Sequence, residues 1–154
     1  MERRLLMSTN WVRDTFTVTS DPAKLDRAVI AEFLRSSYWA KGIPAATVEK
    51  SLERSLCFAL LDGERQIGFA RVISDRVTIA YLGDVFVLPE YRGKGLGKWL
   101  IECVVSHPEL QGLRRWVLAT RDAHGLYEKF GFTPLKRPEF FMELHNPNVY
   151  GPRG

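Results

Sequence analysis

The stretch from Asp84 to Lys98, DVFVLPEYRGKGLGK, constrains this chain more than any other. An apolar, strand-forming run (Val85, Phe86, Val87, Leu88) enters a loop with glycines at 93, 95 and 97, and a strongly apolar helix pattern follows at once. Such a layout builds an anion site from main chain. Glycines let successive N–H groups crowd toward one point, and the new helix aims its positive end there. Arg92, Lys94 and Lys98 add formal positive charge. The ligand expected of this arrangement is a phosphate-bearing cofactor.

Two familiar phosphate loops fail the spacing. A P-loop read against Gly97-Lys98 needs glycine at 92 and a hydroxyl at 99, but the residues are Arg92 and Trp99. A dinucleotide fingerprint starting at Gly93 needs its third glycine at 98, which is Lys98. What remains is Arg-x-x-Gly-x-Gly at Arg92, Gly95 and Gly97, after a strand ending in Val87-x-Pro89. It resembles the acetyl-CoA loop of the GNAT superfamily of N-acetyltransferases. Taken alone, the loop also fits a glycine-rich turn with solvated lysines.

A second stretch separates these readings. Leu126-Tyr127-Glu128-Lys129-Phe130-Gly131-Phe132 resembles the second GNAT signature, a helix that bears a tyrosine and ends at Gly-Phe. The helix also stands on its own residues. Asp122 is a fitting N-cap after the apolar strand Trp116–Ala119. Leu126 and Phe130 share one face, Gly131 suits a left-handed C-cap, and Pro134 prevents resumption.

The order of elements agrees with that family. Residues 1–14 read as frayed or loosely attached. Phe16–Thr19 reads as a strand, a helix runs from Asp21-Pro22 to about Ser36 with Leu25, Val29 and Phe33 on one stripe, and a second helix follows the loop 38–44. Strands over 57–61, 66–72 and 78–87 are joined by turns at Asp62-Gly63 and Ser74-Asp75. A helix from the glycine loop stops at His107 before Pro108, and the strand 116–119, the helix 122–130 and a last strand near 140–144 complete the pattern. The expected fold is α/β of the α+β type. It has a mixed central sheet with flanking helices, an antiparallel N-terminal half and a β-α-β-α-β C-terminal half. All 154 residues are expected to form one GNAT domain.

The resemblance implies roles for particular residues. Backbone at Val85, Phe86 and Val87 would pair with the pantetheine arm and leave an N–H for the thioester oxygen. Arg92, Gly93, Lys94, Gly95, Leu96, Gly97 and Lys98 would surround the pyrophosphate. Many relatives carry Asn seven residues before the family tyrosine, where this chain has Thr120, so that contact with the cofactor arm is altered. Tyr127 would return a proton to the CoA thiolate. An attacking amine of pKa ~10.4 is neutral in only about one molecule in 10³ at pH 7, so a proton must be removed first. Asp84 is the acidic candidate. It equally fits a residue bonded to nearby groups or one that attracts a cationic substrate, and His124 is a rival. Tyr38 and Trp39, adjacent on the loop between the first two helices, suit the wall of an acceptor site, with Phe140 and Phe141 facing the same cleft.

The function implied is acetyl-CoA-dependent transfer of an acetyl group to a primary amine, of a small molecule, within a ternary complex. Two other readings stay open: a protein or peptide N-acetyltransferase, and a noncatalytic acyl-CoA-binding regulator on the same fold. A formal charge of +4 without long basic blocks argues against nucleic acid. No apolar run reaches 18 residues, which argues against a membrane span, and the first residues do not have the shape of a secretory signal. Cys57 and Cys103 read as buried packing residues, and the scattered histidines suggest no metal site. The chain is expected in a reducing cytoplasm, and a homodimer would be compatible with all of this.

Overall fold

The computed structural model describes residues 8–151. Six strands form one sheet in the order of the sequence: β1 (Asn10–Arg13), β2 (Phe16–Thr19), β3 (Leu56–Asp62), β4 (Arg65–Ser74), β5 (Ile79–Val87) and β6 (Arg115–Leu118). The first five pair antiparallel and β6 joins β5 in parallel. The tight connection after Asp62 is closed at Gly63, whose φ of +61° suits a residue without Cβ.

Helices cover both faces. On one face, α1 (Arg27–Ser36) and α2 (Ala45–Glu53) bury Ile30, Leu34, Val48 and Leu52 against Cys57, Ala59, Leu61, Phe69 and Phe86. On the other, α3 (Leu96–Val105) packs Leu100, Ile101 and Val104 against Phe58, Leu60, Ile67 and Val72. Sequence alternation in β3 and β4 assigns neighbouring residues to opposite layers, and both layers are apolar, so these strands read as unbroken hydrophobic runs. Each large side chain buried here contributes about 1.5–3 kcal/mol. The short α4 (His124–Glu128) adds Tyr127 to the edge of the α3 layer.

Four expectations need correction. The N-terminal segment was expected to fray over 1–14; residues 1–7 lie outside the described residues, but 10–13 form β1, held by full pairing with β2. The first helix is divided. Asp21 caps a 3-10 turn at Pro22–Lys24, and Asp26 then caps α1 by accepting from the Val29 N–H at 3.1 Å. Gln66, buried beneath, accepts the Asp26 N–H at 2.6 Å and so holds the break open. Asp122 does not cap α4. Thr120 Oγ1 takes the Ala123 N–H instead at 3.1 Å, and the helix starts two residues later than expected. Finally, no strand forms at 140–144. Pro138 opens a 3-10 turn through Phe140, and the chain beyond it runs in extended form without a sheet partner, so among the described residues the C-terminal half is β-α-β-α. A strand needs a paired neighbour to persist.

Candidate active site

β5 is irregular where the glycine loop is about to begin. Phe69 pairs with Phe86, but the next pair is Arg71 with Gly83, so Asp84 and Val85 together oppose Ala70. The bulge is centred on Asp84, whose φ is +55°, a left-handed conformation uncommon for a residue with a side chain. On its other side, β5 pairs with β6 only over Ile79–Leu82. From Gly83 to Val87 no strand of the described residues lies on that side. The two parallel strands therefore splay into a notch, with Val85, Phe86 and Val87 offering main chain to it. The Phe86 side chain itself is core, stacked on Phe33 at 3.9 Å.

The glycine loop closes one end of the notch. Gly93 and Gly95 have φ of +81° and +77°, and Gly95 is the N-cap of α3. Among the described residues, the N–H groups of Gly93, Lys94 and Gly95 have no protein acceptor. They join the orphan N–H groups of the first helical turn, at Leu96, Gly97 and Lys98, as a cradle of donors. Arg92 is folded back, with Nε donating to Val87 C=O at 2.9 Å, and Lys94 lies over the Tyr91 ring. The Leu96 side chain is buried, while Lys98 is exposed on the first turn. A phosphate would meet main-chain donors first, with the exposed Lys98 beside them.

Across the notch stands Tyr127. Its ring is packed edge-on to Phe132 and is 8% exposed. Burial, with a further contribution from the nearby Tyr38 phenol, pushes its pKa up to about 12. The Tyr127 hydroxyl makes no hydrogen bond to the described residues, and the side chain lines a cavity of about 290 Å³ together with Thr120 and His124. A proton donor without an internal partner is free to donate into that cavity. Thr120 is less free, because its oxygen already accepts from Ala123.

The loop between α1 and α2 supplies the third wall. Trp39 Nε1 donates to Asp84 Oδ1 at 2.8 Å, and Arg71 Nε donates to Asp84 Oδ2 at 2.7 Å. Arg71 also donates to Ser55 Oγ at the end of α2. Tyr38 stands edge-on to Trp39, accepts the Arg121 N–H at its hydroxyl and carries the Arg121 guanidinium over its ring at 3.9 Å. Thus Tyr38, Trp39, Asp84 and Tyr127, chosen from three separate stretches of sequence, come together: Trp39 bonds Asp84, Tyr38 packs on Trp39, and the Tyr38 phenol lies near that of Tyr127. Phe140 and Phe141 do not join them; they line a second cavity of about 510 Å³ beside β6, which adjoins the Tyr127 cavity at Trp116 and Phe132–Leu135.

Sequence reasoning missed Arg71, Ser55 and Arg121. Arg71 had a signal, a lone cation in the apolar strand run 67–73, which in a buried strand demands a partner. Ser55 and Arg121 carried none. Cys57 lies under the same cluster, and burial pushes its thiol up to about 12.

Comparison with known proteins agrees with this architecture. Residues 53–134 match the acetyltransferase (GNAT) domain family. A GNAT-family protein of Xanthomonas campestris pv. campestris, known from its crystal structure, is 51% identical and aligns over 88% of this chain and 96% of that one, with a TM-score of 0.85. The chain belongs to the GNAT acetyltransferases. This GNAT protein has the α+β fold of its family, a six-stranded mixed sheet with flanking helices, and no helix among its described residues is long and apolar enough to cross a membrane. It is also similar to a Gibberella zeae protein bearing the acetyltransferase name, with 34% identity over 143 residues, 78% of this chain and 80% of the other. A ribosomal protein bS18-alanine N-acetyltransferase of Haemophilus influenzae is 33% identical over 88 residues, 54% of this chain and 58% of its own.

Proposed function

We propose that this acetyltransferase takes acetyl-CoA as donor and a small primary amine as acceptor, and transfers the acetyl group directly between them. The observation that supports this reading is the splayed β5 main chain with unbonded loop donors at one end, together with the unpartnered Tyr127 hydroxyl, which is linked to β5 through Tyr38, Trp39 and Asp84. The loop donors and the first turn of α3 suit the pyrophosphate, and the Val85–Val87 main chain suits the pantetheine arm. A donor at the bulge, aimed at the thioester oxygen, is worth about 3 kcal/mol in the transition state.

The amine nitrogen forms its bond to the acetyl carbon as the carbon–sulfur bond breaks, and the proton lost from nitrogen as the amide forms goes to solvent, from which Tyr127 is later reprotonated. The departing thiolate then needs a proton. Tyr127 holds one up to a pKa of about 12 and releases it to sulfur only on contact. Direct transfer is favoured over a covalent acyl-enzyme because both cysteines are buried and pushed up to about 12, so neither supplies a thiolate at neutral pH. Asp84 acts in this reading as an anchor rather than a free base. Each of its oxygens already accepts one hydrogen bond, from Trp39 at 2.8 Å and from Arg71 at 2.7 Å. Its negative charge, beside the aromatic rings of Tyr38 and Trp39, favours a cation on the acceptor side. The ammonium sheds its proton as it leaves water, at a cost of roughly 4–5 kcal/mol.

A protein N-terminus is the second reading, favoured by the similarity to the bS18-alanine enzyme over part of the chain. Thiol release from acetyl-CoA across a library of small amines and N-terminal peptides tests both. Turnover of small amines supports the first reading and turnover confined to peptides overturns it. Binding of acetyl-CoA without turnover of any acceptor leaves a noncatalytic regulator as the account.

A further inference from the structure

Asp84 stands in a conformation that the sheet alone does not hold. Three described residues other than glycine have a positive φ, and two of them, Asp14 and Arg76, sit in connections between strands. Asp84, at φ +55°, is the one inside a strand. Main-chain pairing gives it little support. On one side β4 meets it out of register, with Ala70 opposite both Asp84 and Val85, and on the other side β6 pairs with β5 only as far as Leu82. A left-handed residue with a side chain persists where its surroundings over-determine it.

Arg71 supplies that constraint. It lies on β4 directly opposite Gly83, so its reach to Asp84 crosses the bulge itself. Nε donates to Asp84 Oδ2 at 2.7 Å, and Nη1 donates to Ser55 Oγ at 3.1 Å. Ser55 stands between α2 and β3, where the helix layer joins the sheet. A guanidinium is a rigid planar fork, so two bonds to two different elements fix its plane. The ion pair is also well covered. Its side chains are 19% and 11% exposed, where those of the Arg76–Glu109 pair are 33% each. Taking a cation out of water beside the buried Phe69, Ala70 and Val72 is costly, and an apolar side chain would serve the core as well. The core therefore gives no reason for a cation at 71. Trp39 holds the other Asp84 oxygen, but it comes from a loop and is 38% exposed, which makes it the weaker constraint.

We propose that Arg71 is a positioning residue for acetyl transfer: through Asp84 it fixes the β5 bulge, and with the bulge the main-chain N–H that polarises the thioester carbonyl. Arg71 can act in this way only if acetyl-CoA lies in the notch with its thioester at the bulge, as proposed above. A donor aimed at the developing oxyanion changes kcat and leaves substrate binding nearly untouched. Arg71 should therefore differ from Trp39, whose removal is expected to raise KM for the amine.

Infrared difference spectra of bound acetyl-CoA, isotope-labelled at the acetyl carbonyl, report that polarisation directly. In the wild type the carbonyl band should fall below its position in free acetyl-CoA. Arg71→Met, which keeps the apolar stem, should return the band most of the way. It should also lower kcat about 100-fold while calorimetric affinity for acetyl-CoA stays within about twofold. Arg71→Lys has a compact ammonium without the fork, and Ser55→Ala frees one end of it. Both keep a cation opposite Asp84 and so fold even where Arg71→Met does not. Each should move the band part of the way and lower kcat about 3–10-fold, the worth of one hydrogen bond. A band at the wild-type position in every folded variant, or a loss confined to KM for the amine, would overturn the role of Arg71 and leave the acetyl-CoA reading standing. A wild type that fails to bind acetyl-CoA, or binds it without moving the band, would overturn the placement of the thioester at the bulge, and the role of Arg71 with it.

Discussion

On the proposed cofactor side of the notch the protein presents main chain; on the proposed acceptor side it presents side chains. In that reading the loop from Gly93 to Lys98 would work through N–H groups, and its residues matter for the backbone shape they permit. The acceptor wall is a relay of named groups, Ser55, Arg71, Asp84 and Trp39, each bonded to the next. A site made of main chain tolerates much change of side chain but little change of φ. A site made of side chains behaves the opposite way, and this is where specificity can be altered without losing the donor.

Tyr127→Phe breaks the comparison at the point where the halves meet, and has the largest expected effect. It should lower kcat about 10²–10⁴-fold with acetyl-CoA affinity nearly intact, as steady-state kinetics and calorimetry would show. Because the hydroxyl is protonated below about 12, kcat should show no alkaline loss from this group below pH ~10. Unchanged turnover with chemistry rate-limiting would make Tyr127 a packing residue.

Next comes the loop. Gly95→Ala places a side chain at φ +77°, which costs about 1–2 kcal/mol in shape alone, and acetyl-CoA should bind about tenfold more weakly. Gly97→Ala sharpens the test. A Cβ there meets only Val87 Cγ2 at the ordinary distance of 3.8 Å, so the apo protein should keep its stability. Any affinity lost at Gly97 then reports crowding of the phosphate itself. Calorimetric titration of both variants at wild-type affinity would remove the loop from the cofactor site.

The acceptor side should respond in KM. Trp39→Phe keeps an aromatic face but loses the bond to Asp84, and should raise KM for a cationic amine severalfold. Trp39→Ala should cost more, about 30-fold if the ring contributes about 2 kcal/mol. Neither should move acetyl-CoA affinity; if both do, Trp39 serves the cofactor half. The smallest effect lies far from the notch. His107 is buried between Trp11 and Phe58 and accepts the Glu109 N–H at Nδ1, and burial lowers its pKa from the usual 6.5. A lowered pKa means the fold prefers the neutral ring, so its contribution is present above pH 6.5 and lost as the pH falls further. The Tm of His107→Gln should decline less steeply than that of the wild type below pH 6.5, and parallel slopes would show that the ring has the same pKa folded and unfolded.

The same division explains what was legible in the sequence. Gly93, Gly95, Gly131 and the Tyr127 helix were readable because each states a local backbone demand, and the φ values of the three glycines answer it. β3, β4 and β5 were readable from apolar runs. The final strand misled because Phe141-Met142-Glu143-Leu144 has the composition of a strand, while pairing depends on an edge that no local pattern reports. The bond from Trp39 to Asp84 was not legible either. Nothing in residues 38–39 names a partner at 84, and the left-handed geometry of Asp84 goes with a one-residue mismatch between β4 and β5.

The bonds that close the acceptor wall also have a place in time. Trp39 reaches Asp84 across 45 residues, and Tyr38 reaches Arg121 across 83. Arg92, by contrast, bonds Val87 only five residues away. Closing long loops is entropically slow, so contacts of this separation form late in folding, and where they lie at the surface they are among the first to open. The donor cradle can therefore be in place in a molecule whose acceptor wall has not yet closed. Hydrogen exchange would see this as early protection from Trp99 onward in α3 and late protection of the Trp39 indole N–H and the Arg121 amide.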